Sequence, residues 1–245
     1  MKVVVFGATK GMGRALARLM AERGDELFLL GRNLANLEGC AADLQIRGAS
    51  GEVGYAACDL LEPGGFAWAL EQATARLGRL DAVVVTAGLY GTQTTLERDG
   101  ALRQRVLTVD FTNTIEFCEQ ARVRLVEMGG GVLCVFSSVA GDRARKPVIL
   151  YGAAKAGLSY YLEGLDLKFR AEGLRTVLVK PGFVRTGMTE GLKEPPFTVE
   201  AEDAAVAALR AIDRGHPVAY VPAIWRLVML AVRHMPRWFM RRAEF

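Results

Sequence analysis

Cysteine is scarce in this 245-residue chain, and the four that occur, Cys40, Cys58, Cys118 and Cys134, are widely scattered. They match neither a disulfide framework nor a redox or metal-ligand spacing, and read as reduced core thiols of a cytoplasmic protein. Long apolar runs are absent as well: none reaches the roughly 18 residues that would suggest a membrane span. The chain opens directly on Lys2-Val-Val-Val-Phe6, a buried-strand pattern rather than a secretion signal. No Pro/Gly/Ser-rich linker, charge run, repeat or low-complexity stretch divides it. Residues 1–245 therefore read as one domain, long enough for a large core.

Net charge is nearly absent from most of the sequence. The formal excess is +4, and from Tyr220 to Phe245 there are five arginines (Arg226, Arg233, Arg237, Arg241, Arg242) against one acid, Glu244. The rest of the chain holds 26 basic and 26 acidic residues. This excludes a nucleic-acid protein with a broad basic face and sets residues 222–245 apart as a basic, apolar tail.

What is present is an alternation. Short apolar runs occur at Val3–Phe6, Glu26–Leu30, Glu52–Ala56, Ala82–Val85, Val132–Phe136, Thr176–Val179 and Val218–Val221. Each of the first six is followed by a stretch of helical period: Gly11–Glu22, Leu34–Ile46, Gly65–Arg76, Leu102–Met128, Tyr151–Ala171 and Val199–Asp213. Apolar strands alternating with helices predict an α/β fold, a doubly wound parallel sheet of about seven strands with helices on both faces.

Between the first strand and first helix stands Gly7-Ala-Thr-Lys-Gly-Met-Gly13. Gly7 allows a tight turn, Gly11 a close backbone approach to a pyrophosphate, and Gly13 close packing of helix on sheet. Together with Thr9, Lys10 and Met12 they form a candidate dinucleotide cradle at a helix N-terminus. At the end of the second strand an acidic residue would bind the adenosine ribose and repel a phosphate; here the chain reads Leu30-Gly-Arg-Asn33. Arg32 can form charge-assisted bonds to a 2′-phosphate, and Lys10 adds a second cation, so NADP(H) is favoured over NAD(H). Asp59, followed by Leu60, stands after the third strand, where it can accept from an adenine amino group or merely cap a turn.

Tyr151 and Lys155 lie four residues apart on a predicted helix and so share a face. The ammonium is expected to lower the phenol's pKa, so that it exchanges a proton near neutral pH. Ser138 lies thirteen residues upstream, after the run Val132–Phe136. With a dinucleotide nearby, these residues point to hydride transfer at a carbonyl carbon.

Gly7/Gly11/Gly13, Thr86-Ala-Gly88, Ser137-Ser138, Tyr151-x-x-x-Lys155 and Pro181-Gly-Phe-Val-Arg-Thr186, in this order, resemble the short-chain dehydrogenase/reductase superfamily in its single-domain branch. The resemblance spans nearly the whole chain. It implies that Tyr151 protonates the carbonyl oxygen, Lys155 holds the nicotinamide ribose, and Ser138 hydrogen-bonds the substrate oxygen. It also implies cofactor contacts at Ala87, Gly88 and Pro181, with Thr186 and the backbone of Val184 holding the carboxamide, and a homodimer or homotetramer. Two residues depart from the family pattern. Thr86 stands where asparagine is frequent, and Asp110 where the fourth catalytic residue is usually asparagine. Asp110 leaves three readings: a modified proton relay, a raised pKa, or a role passed to Asn113.

The last third resembles reductases of decaprenylphosphoryl-2-keto-ribose. The likeness rests on Ser137–Lys146, on Lys180–Met188 with Leu192–Pro196, and on Val221–Met229 through Arg237. It implies a lipid-linked or otherwise apolar keto substrate; a long-chain ketone, ketoacyl, ketosphingoid or steroid compound is the alternative, and a non-catalytic dinucleotide sensor the reading of another class. Arg143, Arg145 and Lys146 offer charge for a substrate phosphate, or a solvated loop. Ile224, Leu227, Val228, Leu230 and Ala231, flanked by arginines and by Trp225 and Trp238, suit a helix lying on an anionic membrane surface or packed on a partner subunit or over the substrate cleft. Pro236 is expected to break it. The chain is thus expected in the cytoplasm, either free or in peripheral contact with the inner face of the membrane.

Overall fold

The computed structural model describes residues 1–244; Phe245, the end of the expected tail, lies outside them. Seven parallel strands form one sheet in the order β3-β2-β1-β4-β5-β6-β9. They are β1 Lys2–Phe6, β2 Glu26–Gly31, β3 Gly54–Ala57, β4 Ala82–Val85, β5 Gly131–Phe136, β6 Leu174–Pro181 and β9 Val218–Val221. A separate pair, β7 Val184–Arg185 and β8 Val199–Glu200, brackets the loop that follows β6.

The strands are apolar on both faces, as covering by helices on both sides requires. Side chains alternate with period two. Val3, Val5, Leu27, Leu29, Val84 and Cys134 face a core closed by α1 Gly11–Glu22, α2 Leu34–Ile46 and α8 Ala201–Arg214. Val4, Phe6, Phe28, Leu30, Val83 and Val135 face the other, closed by α3 Phe66–Leu77, α6 Asn113–Glu127 and α7 Ile149–Phe169. All four cysteines are buried and free, and burial pushes their thiols up, that of Cys58 to about 12.

One expected element divides. The stretch predicted as a single helix, Leu102–Met128, is α5 Gly100–Leu107, a π turn at Thr108–Thr112, and then α6. The wider turn swings Asp110 fully inward while Phe111 and Thr112 stay at the surface. The Thr114 hydroxyl donates to the Val109 carbonyl five residues back at 2.6 Å, which fits the wider spacing. A short helix not anticipated from the sequence, α4 Gln93–Arg98, precedes α5; Thr92 and Asp99 cap the two through the Thr95 and Leu102 amides.

The tail forms α9 Trp225–His234 and α10 Arg237–Arg242, separated at Met235-Pro236 as expected of the proline. Met229 and Val232 turn inward onto Val139, while Ile224, Leu227 and Leu230 remain exposed. No helix of the described residues is long and apolar enough to cross a membrane.

Candidate active site

The sheet order reverses between β1 and β4, and in such folds ligands bind at the strand ends beside this switch point. A cleft of about 470 Å³ opens there. Its walls include Gly7, Thr9, Lys10, Gly11, Met12, Gly13, Arg32, Asp59, Leu60, Ala87, Gly88 and Thr186, so most of the expected cofactor contacts share one cavity. Met188 and Glu190, which the sequence did not single out, also line it.

The backbone accounts for the glycines. Gly7 and Gly11 have φ of 101° and 51°, a region that disfavours any side chain. A Cβ on Gly7 would lie 2.6 Å from both the Ala87 nitrogen and the Thr86 Oγ1, and one on Gly13 would overlap the Gly7 carbonyl. Thr86 Oγ1 donates to the carbonyls of Phe6 and Gly7 at 3.1 and 3.2 Å, so the residue that departs from the family's asparagine ties the glycine turn to β4. Lys10 begins α1 without a side-chain cap, leaving the first-turn amides directed toward the cleft. Among the described residues, Arg32 has no carboxylate partner. Asp59 Oδ1 accepts from the Leu61 amide at 2.9 Å, the turn-capping role weighed for it, while the residue also remains in the cleft wall.

Ser138, Tyr151, Lys155, Pro181 and Val184 stand beyond the cleft lining, and Gly88 joins the two regions. A Cβ there would lie 2.9 Å from Asp110 Oδ1 and 3.6 Å from Lys155 Nζ. Lys155 Nζ is 3.8 Å from Asp110 Oδ1, donates to the Phe136 carbonyl at 3.4 Å, and lies 5.6 Å from the centroid of the Tyr151 ring. Ser138 Oγ accepts from the Ala140 amide at 3.1 Å and donates to the Pro181 carbonyl at 3.4 Å. The Val184 carbonyl accepts from Thr189 Oγ1 at 2.7 Å, and the Thr186 methyl leans toward Gly11. Asn113 Nδ2 donates to the Leu60 carbonyl at 2.6 Å.

One expectation is corrected: the Tyr151 phenol is shifted up, not down. Burial pushes it up, the Asp110 carboxylate when ionised adds to that, and the Ser138 hydroxyl works the other way. The Lys155 ammonium lies 3.8 Å from Asp110 Oδ1 and 3.4 Å from the Phe136 carbonyl oxygen.

The sequence reading also missed the scaffold under the tyrosine and lysine. Ser159 Oγ donates to the Lys155 carbonyl at 2.7 Å and lies 2.9 Å from Ser137 Oγ, which reaches the same carbonyl at 3.0 Å. Gly141 and Gly152 let the loop after Ser138 press on α7; a Cβ on either would fall within 2.8 Å of backbone atoms. The Tyr90 ring meets Tyr151 edge-on at 5.2 Å. Their signal was the small residues around Tyr151, visible in sequence but not assignable to a partner.

The loop from Gly141 to Lys146 is less open than a solvated basic loop. Asp142, with no exposed side-chain surface, accepts from Lys180 at 2.5 Å, Arg233 at 2.9 Å and Tyr220 at 2.8 Å. Arg143 donates to the Met235 carbonyl at 3.1 Å, and Lys146 pairs with Glu244 at 2.5 Å. The tail is thereby fastened beside Ser138, and Trp225 packs on Gly182, the residue after Pro181.

The doubly wound sheet, the glycine cradle at its switch point and the Ser/Tyr/Lys group beside it define a class: oxidoreductases that bind a nicotinamide dinucleotide. The comparisons place the chain within that class. The family profile described as short chain dehydrogenase matches residues 1–196, and the protein belongs to this family. An uncharacterized oxidoreductase of Mycobacterium tuberculosis is 34% identical over 242 residues, covering 98% of this chain and 96% of the relative, tail included. The human 3-oxoacyl-acyl-carrier-protein reductase is 30% identical over 198 residues, 78% of each protein. A solved short-chain type dehydrogenase/reductase from Mycobacterium ulcerans is similar in structure, with a TM-score of 0.77 at 25% identity, covering 86% of this chain and 82% of the other. The cradle fits the dinucleotide this family uses: glycines whose Cβ atoms would fill it, and helix-start amides for the pyrophosphate.

Proposed function

We propose that the protein is an NADPH-dependent reductase that converts an apolar or lipid-linked ketone to an alcohol, with Tyr151 as proton donor. The observation that carries the reading is the meeting of Ser138, Tyr151 and Lys155 at the end of a glycine-lined cleft. The bound cofactor supplies the hydride. Tyr151 gives its proton to the carbonyl oxygen, Ser138 donates a hydrogen bond to that oxygen as charge develops, and Lys155 holds the ribose with its ammonium. Lys10 and Arg32, on the cleft wall, favour the phosphorylated cofactor. Thr186 and the Val184 backbone hold the carboxamide, and Leu60, Ala87, Gly88 and Pro181 complete the binding surface.

For the substrate, the support is the tail. Its inner face packs on Val139, next to Ser138, and its outer face is apolar and basic, which suits a substrate delivered from an anionic membrane surface. A keto-sugar phospholipid is the leading type. A ketoacyl or other long-chain ketone is the second reading, favoured by the similarity to the human 3-oxoacyl reductase. The protein acts in the cytoplasm as a homodimer or homotetramer.

The deciding experiment is Tyr151→Phe. Turnover is expected to fall by about 100-fold or more, the contribution of a positioned proton donor. Fluorescence titration should show NADPH still bound. Near-normal turnover in that variant removes Tyr151 as the acid. A screen of the intact enzyme with NADPH against keto-sugar phospholipids and long-chain ketones separates the two substrate readings.

A further inference from the structure

Asp110 puts a carboxyl group beside Lys155, and its surroundings are unlike those of an ordinary ion pair. The side chain has no exposed surface. Oδ1 accepts from the Leu89 amide at 2.8 Å and faces Lys155 Nζ at 3.8 Å; Oδ2 has no hydrogen-bond partner among the described residues. The other two deeply buried carboxylates are satisfied quite differently. Asp25 takes the N-terminal ammonium and Arg23, both at 2.6 Å, and Asp142 takes Lys180 at 2.5 Å and Arg233 at 2.9 Å. An ionised carboxylate presents about four lone-pair sites. Buried with one amide at 2.8 Å and one ammonium at 3.8 Å, it leaves lone pairs unmatched, whereas the neutral acid carries no charge to desolvate.

We propose that Asp110 is the proton store of this site: a carboxylic acid kept neutral behind Lys155, which resupplies Tyr151 after each turnover. The proposal rests on the reading of Tyr151 as proton donor. As the carbonyl carbon takes a hydride from the reduced nicotinamide, a C–H bond forms and the carbonyl π pair takes the Tyr151 proton, giving the alcohol and a tyrosinate. Lys155 passes a proton to the tyrosinate and takes one from Asp110. The site is left with a neutral phenol, an ammonium and a carboxylate, and one solvent proton returns Asp110 to its starting form. An asparagine at this position has no such proton to give.

Four influences act on the Asp110 carboxyl. Burial raises its pKa and is the largest; the Lys155 charge, the Leu89 amide and hydrogen bonding from the Lys155 ammonium lower it. The titratable groups facing it are Lys155 and Tyr151 on α7. The loop after β4 contributes the Leu89 amide and, against Tyr151, the Tyr90 ring. Asp110 acts through Lys155 and not on the substrate, so it is a positioning residue in the proton path.

Infrared difference spectroscopy of the intact resting protein tests this without a substrate. At pH 7 the wild type is expected to show the carbonyl band of a protonated, buried carboxyl, and Asp110→Asn to lose it. If that variant does not fold, the wild-type spectrum still decides, because Asp25 and Asp142 are each held in close ion pairs. Removing the ammonium with Lys155→Met should keep the band to higher pH, since a lost positive charge disfavours the carboxylate. No protonated-carboxyl band at pH 7 overturns the proposal, as does a titration unmoved by Lys155→Met. Failure of the functional reading looks different: Tyr151→Phe would still turn over, whatever the carboxyl band shows.

Discussion

At the scale of the residue, the proposed preference for NADPH rests on Arg32. It stands on the cleft wall at the end of β2, with no carboxylate partner among the described residues, so its guanidinium is available to an anion. Charge-assisted bonds of this kind contribute about 1.5–3 kcal/mol, which corresponds to roughly 10- to 100-fold in affinity. Arg32→Ala is therefore expected to raise KM for NADPH by about that factor while leaving KM for NADH nearly unchanged. Equal effects on both cofactors would remove the phosphate contact, and steady-state kinetics with the two decides. The arginine was legible because its position follows from strand, loop and helix order. The direction of the Tyr151 shift was not: helical spacing puts Lys155 on the same face, but spacing does not reveal that the buried Asp110 from another helix stands against that ammonium.

At the scale of the element, the strands were readable from their apolar runs and differ from the expected bounds by a residue or two. Tertiary contacts decide what was missed. The π turn at Thr108–Thr112 turns Asp110 toward Leu89 and Lys155, both distant in sequence, so local periodicity sees only a continuous helix. The junction of α9 with the loop after β6 is of the same kind. Trp225 lies directly on Gly182, and a Cβ there would overlap the indole. Overpacking of this sort costs about 1–3 kcal/mol. At about 2–4 °C per kcal/mol for a protein of this size, Gly182→Ala should lower Tm by several degrees. The loss should vanish in a Trp225→Ala background, where the indole is gone; calorimetry of the four-member cycle tests this. A Tm drop that persists without the indole would place the glycine's role in its backbone.

At the scale of the whole molecule, the question is whether the tail serves the fold or the substrate. The small cluster of Val139, Met229 and Val232 is separate from the two large cores that flank the sheet. Asp142 would lose Arg233 on removal of the tail but keep Lys180 and Tyr220. Deleting residues 224–245 should thus leave the sheet folded, with a single cooperative unfolding transition at lower Tm. It would also remove all five tail arginines and one acid, taking the formal charge from +4 to zero. Basic residues at an anionic surface contribute about 1 kcal/mol each, so a tail that docks on lipid predicts vesicle binding that is lost on truncation. Such binding should weaken steeply as salt shortens the Debye length from about 10 Å at 0.1 M to about 3 Å at 1 M. Co-sedimentation with phosphatidylserine vesicles across that salt range, beside sedimentation velocity of both proteins, separates the alternatives. If the full chain never binds vesicles and truncation instead splits an oligomer, the exposed Leu227 and Leu230 face belongs to subunit assembly, and the case for a membrane-delivered substrate falls with it.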